Sequence, residues 1–383
     1  MRPGPASKGA SRYVVGEVER FSQKNDMFSR TRWDPSLSEI GEKLWAPQEP
    51  DQNIAGHTLQ DYALENAAWF IPIAYTGGNY AGNRGLYSWD AKPWGLYGKP
   101  KTDVKLEVYD PVKMTRTIKK IARLLGASLV GITELDRRWV YSEDCDLLTG
   151  KTTPITIPEE YKYAIVLGYE MDYELIQMSS AHTHGLGVGI CYTKMAVVGP
   201  ELAQFIRLIG YKAIPMGNDT ANSIPLAIDA GLGELGRLNL LITPQYGPRV
   251  RLSKVFTNLP LVPDKPIEFG VWDFCMTCKK CAKNCPGQAL SYDEPTDQPN
   301  SISNRKGILR WPIKADKCAG WFGQNGGDCA NCIRVCPFNK PPGPLHDAVR
   351  WGIKHTPVLN PLFVKVDDAL GYGRRVSARK FWD

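Results

Sequence analysis

Eight of the chain's ten cysteines fall in one stretch, Cys275 to Cys336, and their spacing restricts what the 383 residues can fold around. The stretch opens FCMTCKKCAKNCP, so Cys275, Cys278, Cys281 and Cys285 form a Cys-x2-Cys-x2-Cys-x3-Cys run closed by Pro286. In such a run three close thiolates bind one 4Fe-4S cluster, and the fourth belongs to a neighbouring cluster. A second set is therefore required. Cys318, Cys329, Cys332 and Cys336, with Pro337 after the last, provide it. Crossing the fourth cysteines assigns Cys275, Cys278, Cys281 and Cys336 to one cluster and Cys285, Cys318, Cys329 and Cys332 to the other.

Two plainer readings compete. Zinc prefers well-separated Cys-x2-Cys pairs, which a triple closed by Cys-Pro does not resemble. Disulfides require close Cα pairs, and two sets at this spacing do not suggest them. Only Cys145 and Cys191 lie elsewhere, so no disulfide framework signals secretion. Two adjacent clusters make an electron path, and the rest of the chain must supply its end. With 43% hydrophobic and 10% aromatic residues there is enough apolar material for a buried core in two or three domains. The formal charge of +7 is not gathered into a Lys/Arg block, which suits solubility and docking to an acidic surface rather than nucleic acid. No run of 18 apolar residues occurs, so no segment is expected to span a bilayer. The start, MRPGPASKGASRY, lacks an apolar h-region, as in a cytosolic chain or one whose export signal has been removed.

Residues 1–107 are rich in Trp, Tyr, Gly and Pro, with a helix expected over Thr58–Phe70 and the segment GGNYAGNRGLYSWDAKPWGLYGKPK expected as a long ordered covering loop. From Asp110 the pattern sharpens: DPVKMTRTIKKIARLLGA has Asp-Pro at a helix start, apolar residues at helical spacing and Gly126 at the stop. SLVGI and YKYAIVLGYE read as strands, residues 192–210 as a helix, and YKAIPMG as a further strand. The recurrence of helix, glycine and strand in RLLGASLVGI and RLIGYKAIPM indicates an α+β core with helices packed on one sheet. GLGELG at Gly231–Gly236 matches a dinucleotide-binding pattern only on paper, because helix precedes it and strand follows it, the reverse of what phosphate binding needs. His182 and His184 in SSAHTHGLG resemble half of an Asp-x-His-x-x-Gly cobalt-ligating motif, with Ser180 at the position of the Asp; a structural pair on a loop is the plainer reading. Pro341–Pro344 marks a boundary, and the last forty residues, with a helix near DAVRWGIK, read as a segment closing back on the body.

IARLLGASLVGI, GYKAIPMGNDTANSIPLAIDAGLGELGRLNLLITPQYGPRVRL, DKPIEFGV and FCMTCKKCAKNCP, in this order, resemble the corrinoid-dependent reductive dehalogenases of organohalide respiration from about Asp110 to Pro342. The resemblance implies an α+β, nitroreductase-like core over 108–270 that binds base-off cobalamin, and a bacterial-ferredoxin-like domain with two 4Fe-4S clusters over 271–343. Residues 1–107 then form an N-terminal cover and 344–383 a C-terminal closing segment. By position it places a catalytic tyrosine at Tyr192, an asparagine at Asn218 and an arginine at Arg251, and draws the corrinoid cradle from the backbone around Ser223, Ile224 and Leu226 and the strand near Leu241. Lack of an Asp before His182 agrees, because the family leaves the lower cobalt face without a histidine.

Replacing carbon–halogen by carbon–hydrogen takes two electrons and a proton, so a strong reductant and an acid must meet at one carbon. A phenol beside an always-protonated guanidinium gives up its proton more readily, which suits Tyr192 with Arg251, while Asn218 would orient the phenol or bind halide. On spacing alone the three are a helix-start aromatic, a turn residue and a surface charge. Trp311 and the tryptophans of the N-terminal loops are candidates for controlling access to an apolar pocket, or ordinary core. The resemblance further implies a small halogenated organic substrate, a membrane electron donor, a small integral-membrane anchor protein and possible homodimers. It also implies a place at the outer face of the cytoplasmic membrane after export on a twin-arginine signal that this chain lacks. Two rivals remain. Epoxyqueuosine reductases share the cofactors but act on tRNA and often carry C-terminal helical repeats, absent here; a ferredoxin-type electron carrier leaves most of the chain unexplained.

Overall fold

The computed structural model describes residues 3–4, 8–47, 49–76, 104–147 and 149–383; the expected loop from Gly77 to Lys101 therefore lies outside the described residues. The helix Pro111–Leu125 begins where the Asp110 carboxylate accepts the Lys113 amide at 3.0 Å, with Pro111 in the first turn. It ends at Gly126, whose φ of 119° a side chain would resist. Ile118 and Ala122 on its inner face are fully buried.

The sheet beneath has four antiparallel strands in the spatial order Leu129–Glu134, Tyr163–Glu170, Val250–Thr257 and Ala213–Met216. Successive side chains of a strand point to opposite faces. Along Val250–Thr257, Arg251 therefore points one way, to the ring of Tyr192, and Lys254 the other, to Ser223. The long helix His182–Leu208 packs on the sheet, and the short helix Ser223–Asp229 packs against its other side.

The long helix starts ten residues before the expected 192, so His182 and His184 occupy its first turn rather than a loop. The run GLGVG suggests a loop because glycine weakens an isolated helix. Here it serves close approach instead: a Cβ at Gly189 would come within 2.8 Å of the Ala68 Cβ on the neighbouring helix Leu59–Thr76. RLNLLIT also differs from expectation, because only Leu241–Ile242 pair, in a two-residue ladder with Glu234–Leu235 of the GLGELG turn. The buried Glu234 carboxylate there accepts the Phe269 amide at 2.6 Å, which ties the turn to the segment leading into the cysteines.

The cysteine segment is built from short helices, Val271–Thr277, Lys280–Lys283, Ala315–Asn325 and Asn331–Arg334. Its Phe274, Cys281 and Phe338 share one continuous apolar core with Ile118, Ile165 and Val255 of the sheet region. Two N-terminal helices, Met27–Trp33 and Ser38–Trp45, lean on Ala315–Asn325. After the helices Pro344–His355 and Asn360–Ala369 the tail crosses the start of the long helix. There Arg375 donates to Ser180 O and Val376 N to Gln177 O, each at 3.0 Å, and the Trp382 indole donates to Asp61 at 2.9 Å. Among the described residues no helix is long and apolar enough to cross a membrane.

Candidate functional site

The structure gathers the eight spaced cysteines into two neighbouring sets. The sulfurs nearest in charge to Cys275 are those of Cys278 and Cys336, while Cys318 faces Cys329 and Cys285. Burial comes first in raising Cys281 and Cys332, and repulsion from the neighbouring cysteine sulfurs adds to it. Cys318 and Cys336 are each pushed up to about 12. Sulfurs packed in this way are poor thiolates by themselves, and iron bonded to them removes both penalties. N–H and O–H donors are aimed at the sulfur atoms as well: Ala289 N lies 3.2 Å from Cys285 Sγ, and Ser180 Oγ 3.4 Å from Cys329 Sγ. Such bonds tune clusters, so the donor set fits iron–sulfur ligation.

A second centre lies on the sheet. Asn218 follows strand Ala213–Met216 and its Nδ2 donates to the Tyr192 hydroxyl at 2.6 Å. Because the amide donates, the phenol's own proton stays out of that bond. The Arg251 guanidinium carbon lies 5.6 Å from the Tyr192 ring centroid, and the Trp69 ring packs on the other aromatic contact at 4.6 Å. Arg251 Nε is buried without a hydrogen-bond partner among the described residues. The structure thus brings together Tyr192, Asn218 and Arg251 from a helix, a loop and a strand.

Sequence reasoning passed over the residue that shapes this loop. Lys254 is fully buried and its Nζ donates to Gly217 O, Ala221 O and Ser223 Oγ at 2.6, 2.8 and 2.9 Å, fixing both ends of the turn that carries Asn218. Burial pulls its ammonium down to about 8. A lysine next to the apolar Val255 and Phe256 was the available sign, since a cation buried there must find acceptors.

The cradle candidates separate. Ile224 lines a cleft of about 190 Å³, walled also by Tyr13, Trp139, Asn239, Asn304 and Arg305. Ser223 is the half-buried acceptor of Lys254 at the start of the same helix. Leu226 and Leu241 put their side chains into the core, at 0% and 2% exposure. Two polar atoms of the cleft residues, Arg305 Nη1 and Asn304 Oδ1, are buried with no partner among the described residues, and burial lowers the Arg305 guanidinium to about 10.

His182 pairs through Nδ1 with Glu65 and His184 through Nδ1 with the Ala181 carbonyl, so both act within the helix start. Burial drives His184 down to about 4. Glu65 is far away in sequence, which is why the pair was not visible there. Trp311 is wholly buried, stacked 4.4 Å from Trp272 and 4.7 Å from the Arg237 guanidinium, a packing position rather than an entrance.

Comparison with known proteins places these centres in context. The family of 4Fe-4S dicluster domains matches residues 274–340. A tetrachloroethene reductive dehalogenase of Sulfurospirillum multivorans is 37% identical over 92% of this chain and 75% of its own length. The enzyme of the same name from Dehalobacter restrictus is 35% identical over 85% of this chain and 70% of its own. A solved reductive dehalogenase, reported with a mechanism for B12-dependent dehalogenation, superposes with a TM-score of 0.69 at 26% identity and covers 98% of this chain. This chain spans about half, 49%, of that solved protein.

Proposed function

The chain belongs to the reductive dehalogenase family of oxidoreductases, and from that premise we propose that it replaces carbon–halogen by carbon–hydrogen in a small organohalide, with Tyr192 as proton donor. The observation that carries the reading is the 2.6 Å bond from Asn218 to the Tyr192 hydroxyl beneath the Arg251 guanidinium. It supplies an acid whose direction is fixed and a permanent cation to favour departing halide. Asn218 orients the phenol, Lys254 holds the turn that carries Asn218, and Trp69 keeps water from one face of the ring.

A base-off cobalamin, when bound, supplies the low-potential electrons that a phenol cannot, and two 4Fe-4S clusters feed it. Ile224 with the backbone from Ser223 to Leu226 and near Leu241 would hold that corrinoid. The unpartnered Arg305 Nη1, on a residue of the adjoining cleft, suits the phosphate in the tail of such a cofactor, and Asn304 Oδ1 an amide or hydroxyl donor of it. Partners on this reading are a membrane electron donor and a small integral-membrane anchor at the outer face of the cytoplasmic membrane.

The test is an anaerobic assay of corrinoid-reconstituted protein with a low-potential dye and a panel of halocarbons. Chlorinated ethenes come first, because tetrachloroethene is named for the relatives. Halide release is expected. Tyr192→Phe should keep its iron and cobalt and lose about 10²-fold or more in turnover; full activity in that variant would remove the proposed acid.

A further inference from the structure

Arg237 is buried to 1% exposure, and its hydrogen-bond partners are carbonyls rather than carboxylates. Nε donates to Cys275 O at 3.0 Å, and Nη1 to Ser291 O and Asp293 O at 2.9 and 3.1 Å. Nη2 is buried with no partner among the described residues. The residue's own amide points at Cys275 Sγ, 3.5 Å away. Trp311 covers the guanidinium at 4.7 Å and is itself backed by Trp272, so water is kept off. A buried cation costs several kcal/mol unless an anion faces it. The foremost anions facing this one are the sulfurs of Cys275, Cys281 and Cys278; Glu294, exposed to solvent, comes after them.

We propose that Arg237 is the built-in counter-charge of the cluster on Cys275, Cys278, Cys281 and Cys336, and that it raises that cluster's reduction potential above what the four sulfurs alone would give. The inference rests on the iron–sulfur reading of these cysteines and is independent of the dehalogenation chemistry. Reduction adds one electron to a group that four thiolates already make anionic. A fixed cation against one ligand, screened from water, therefore stabilises the reduced cluster more than the oxidised one. The second set is arranged differently. Arg334, whose charge acts on Cys329, gives its guanidinium to Gly373 O and Asn331, and the Asp328 carboxylate acts on the same cysteine with the opposite sign.

The experiment is an anaerobic redox titration of the full, cluster-loaded chain followed by electron paramagnetic resonance, comparing wild type with Arg237→Gln and Arg237→Lys. In the Gln variant one of the two midpoints should fall, with a drop of about tenfold in the reduction equilibrium, or about 59 mV for a one-electron couple. The other midpoint should stay. The Lys variant should recover most of the shift. Unchanged midpoints at full iron content would overturn the proposal, as would equal movement of both. If the Gln variant does not retain iron, the Lys variant decides: a midpoint near wild type supports the counter-charge, and one displaced by tenfold or more refutes it.

Discussion

The sheet core and the cysteine segment both bury ionisable groups and satisfy them by different means. In the core, Lys254 is fully buried and satisfied by two carbonyls and a hydroxyl, and Arg249, at 1% exposure, is bonded to Glu170, Met171 O and Asn339. In the cysteine segment the buried Lys280 and Lys340 are taken up by Asp367, while thiols such as Cys281 and Cys332 raise one another and have no side chain among the described residues that neutralises them as a set. The core carries its own acceptors, whereas the cysteine segment depends on a bound group. One half should therefore keep its fold when cofactors are removed, and the other should not.

The largest effect expected from this contrast follows removal of iron, by chelation or by Cys281→Ser together with Cys332→Ser. Amide exchange across 271–343 should rise toward that of an unfolded chain, because metal binding and folding are one equilibrium in such segments. The strands Tyr163–Glu170 and Val250–Thr257 should stay protected. Equal loss in both regions would show that the shared apolar core, rather than the treatment of charge, decides stability.

Next in size is Lys254→Met. It leaves the carbonyls of Gly217 and Ala221 and the Ser223 hydroxyl without their donor. At about 1–3 kcal/mol for each stranded group, offset by the removal of a buried charge, the net loss should be about 2–4 kcal/mol. A urea midpoint measured at full iron content reads it. Turnover should fall as well, because Asn218 sits on the freed turn.

The same contrast explains what was legible in the sequence. Apart from Cys318, which precedes Cys329 by eleven positions, the cysteines of each set are separated by two or three residues, so local chain geometry declares them. Helix Pro111–Leu125 was equally plain, since its Asp-Pro start and glycine stop are local devices. Tyr192, Asn218 and Arg251 meet only because strand pairing sets Tyr169 opposite Arg251 and the long helix lies over that face. No spacing rule yields that arrangement, and the three were found through family resemblance. The early start of the long helix was hidden because its glycines answer to a neighbouring helix 120 or so residues earlier in the chain, a need that local propensity does not register. Glu65 with His182, and Lys254 with its carbonyls, are likewise partners chosen by the fold.

The smallest effect concerns a half-buried carboxyl at a helix end. Asp229 ends the helix Ser223–Asp229 and accepts the Ala10 amide at 2.7 Å. Burial raises it from 3.8 to about 6, Asp136 adds to the rise, and the Ala10 bond opposes it. The helix C-terminus is itself partly negative and disfavours the anion there. Between pH 3.8 and about 6 the folded chain holds this proton while the unfolded chain has lost it. The group's contribution is therefore complete at low pH and is lost as pH rises through about 6. Asp229→Asn keeps an acceptor for Ala10 and removes the charge, so it should stabilise the protein by about 1–2 kcal/mol at neutral pH, and by about half as much near pH 5. Urea midpoints of both proteins at the two pH values give the answer. A gain that does not change with pH would mean that Asp229 already sits comfortably as an anion, resolved like the Glu234 carboxylate by backbone amides.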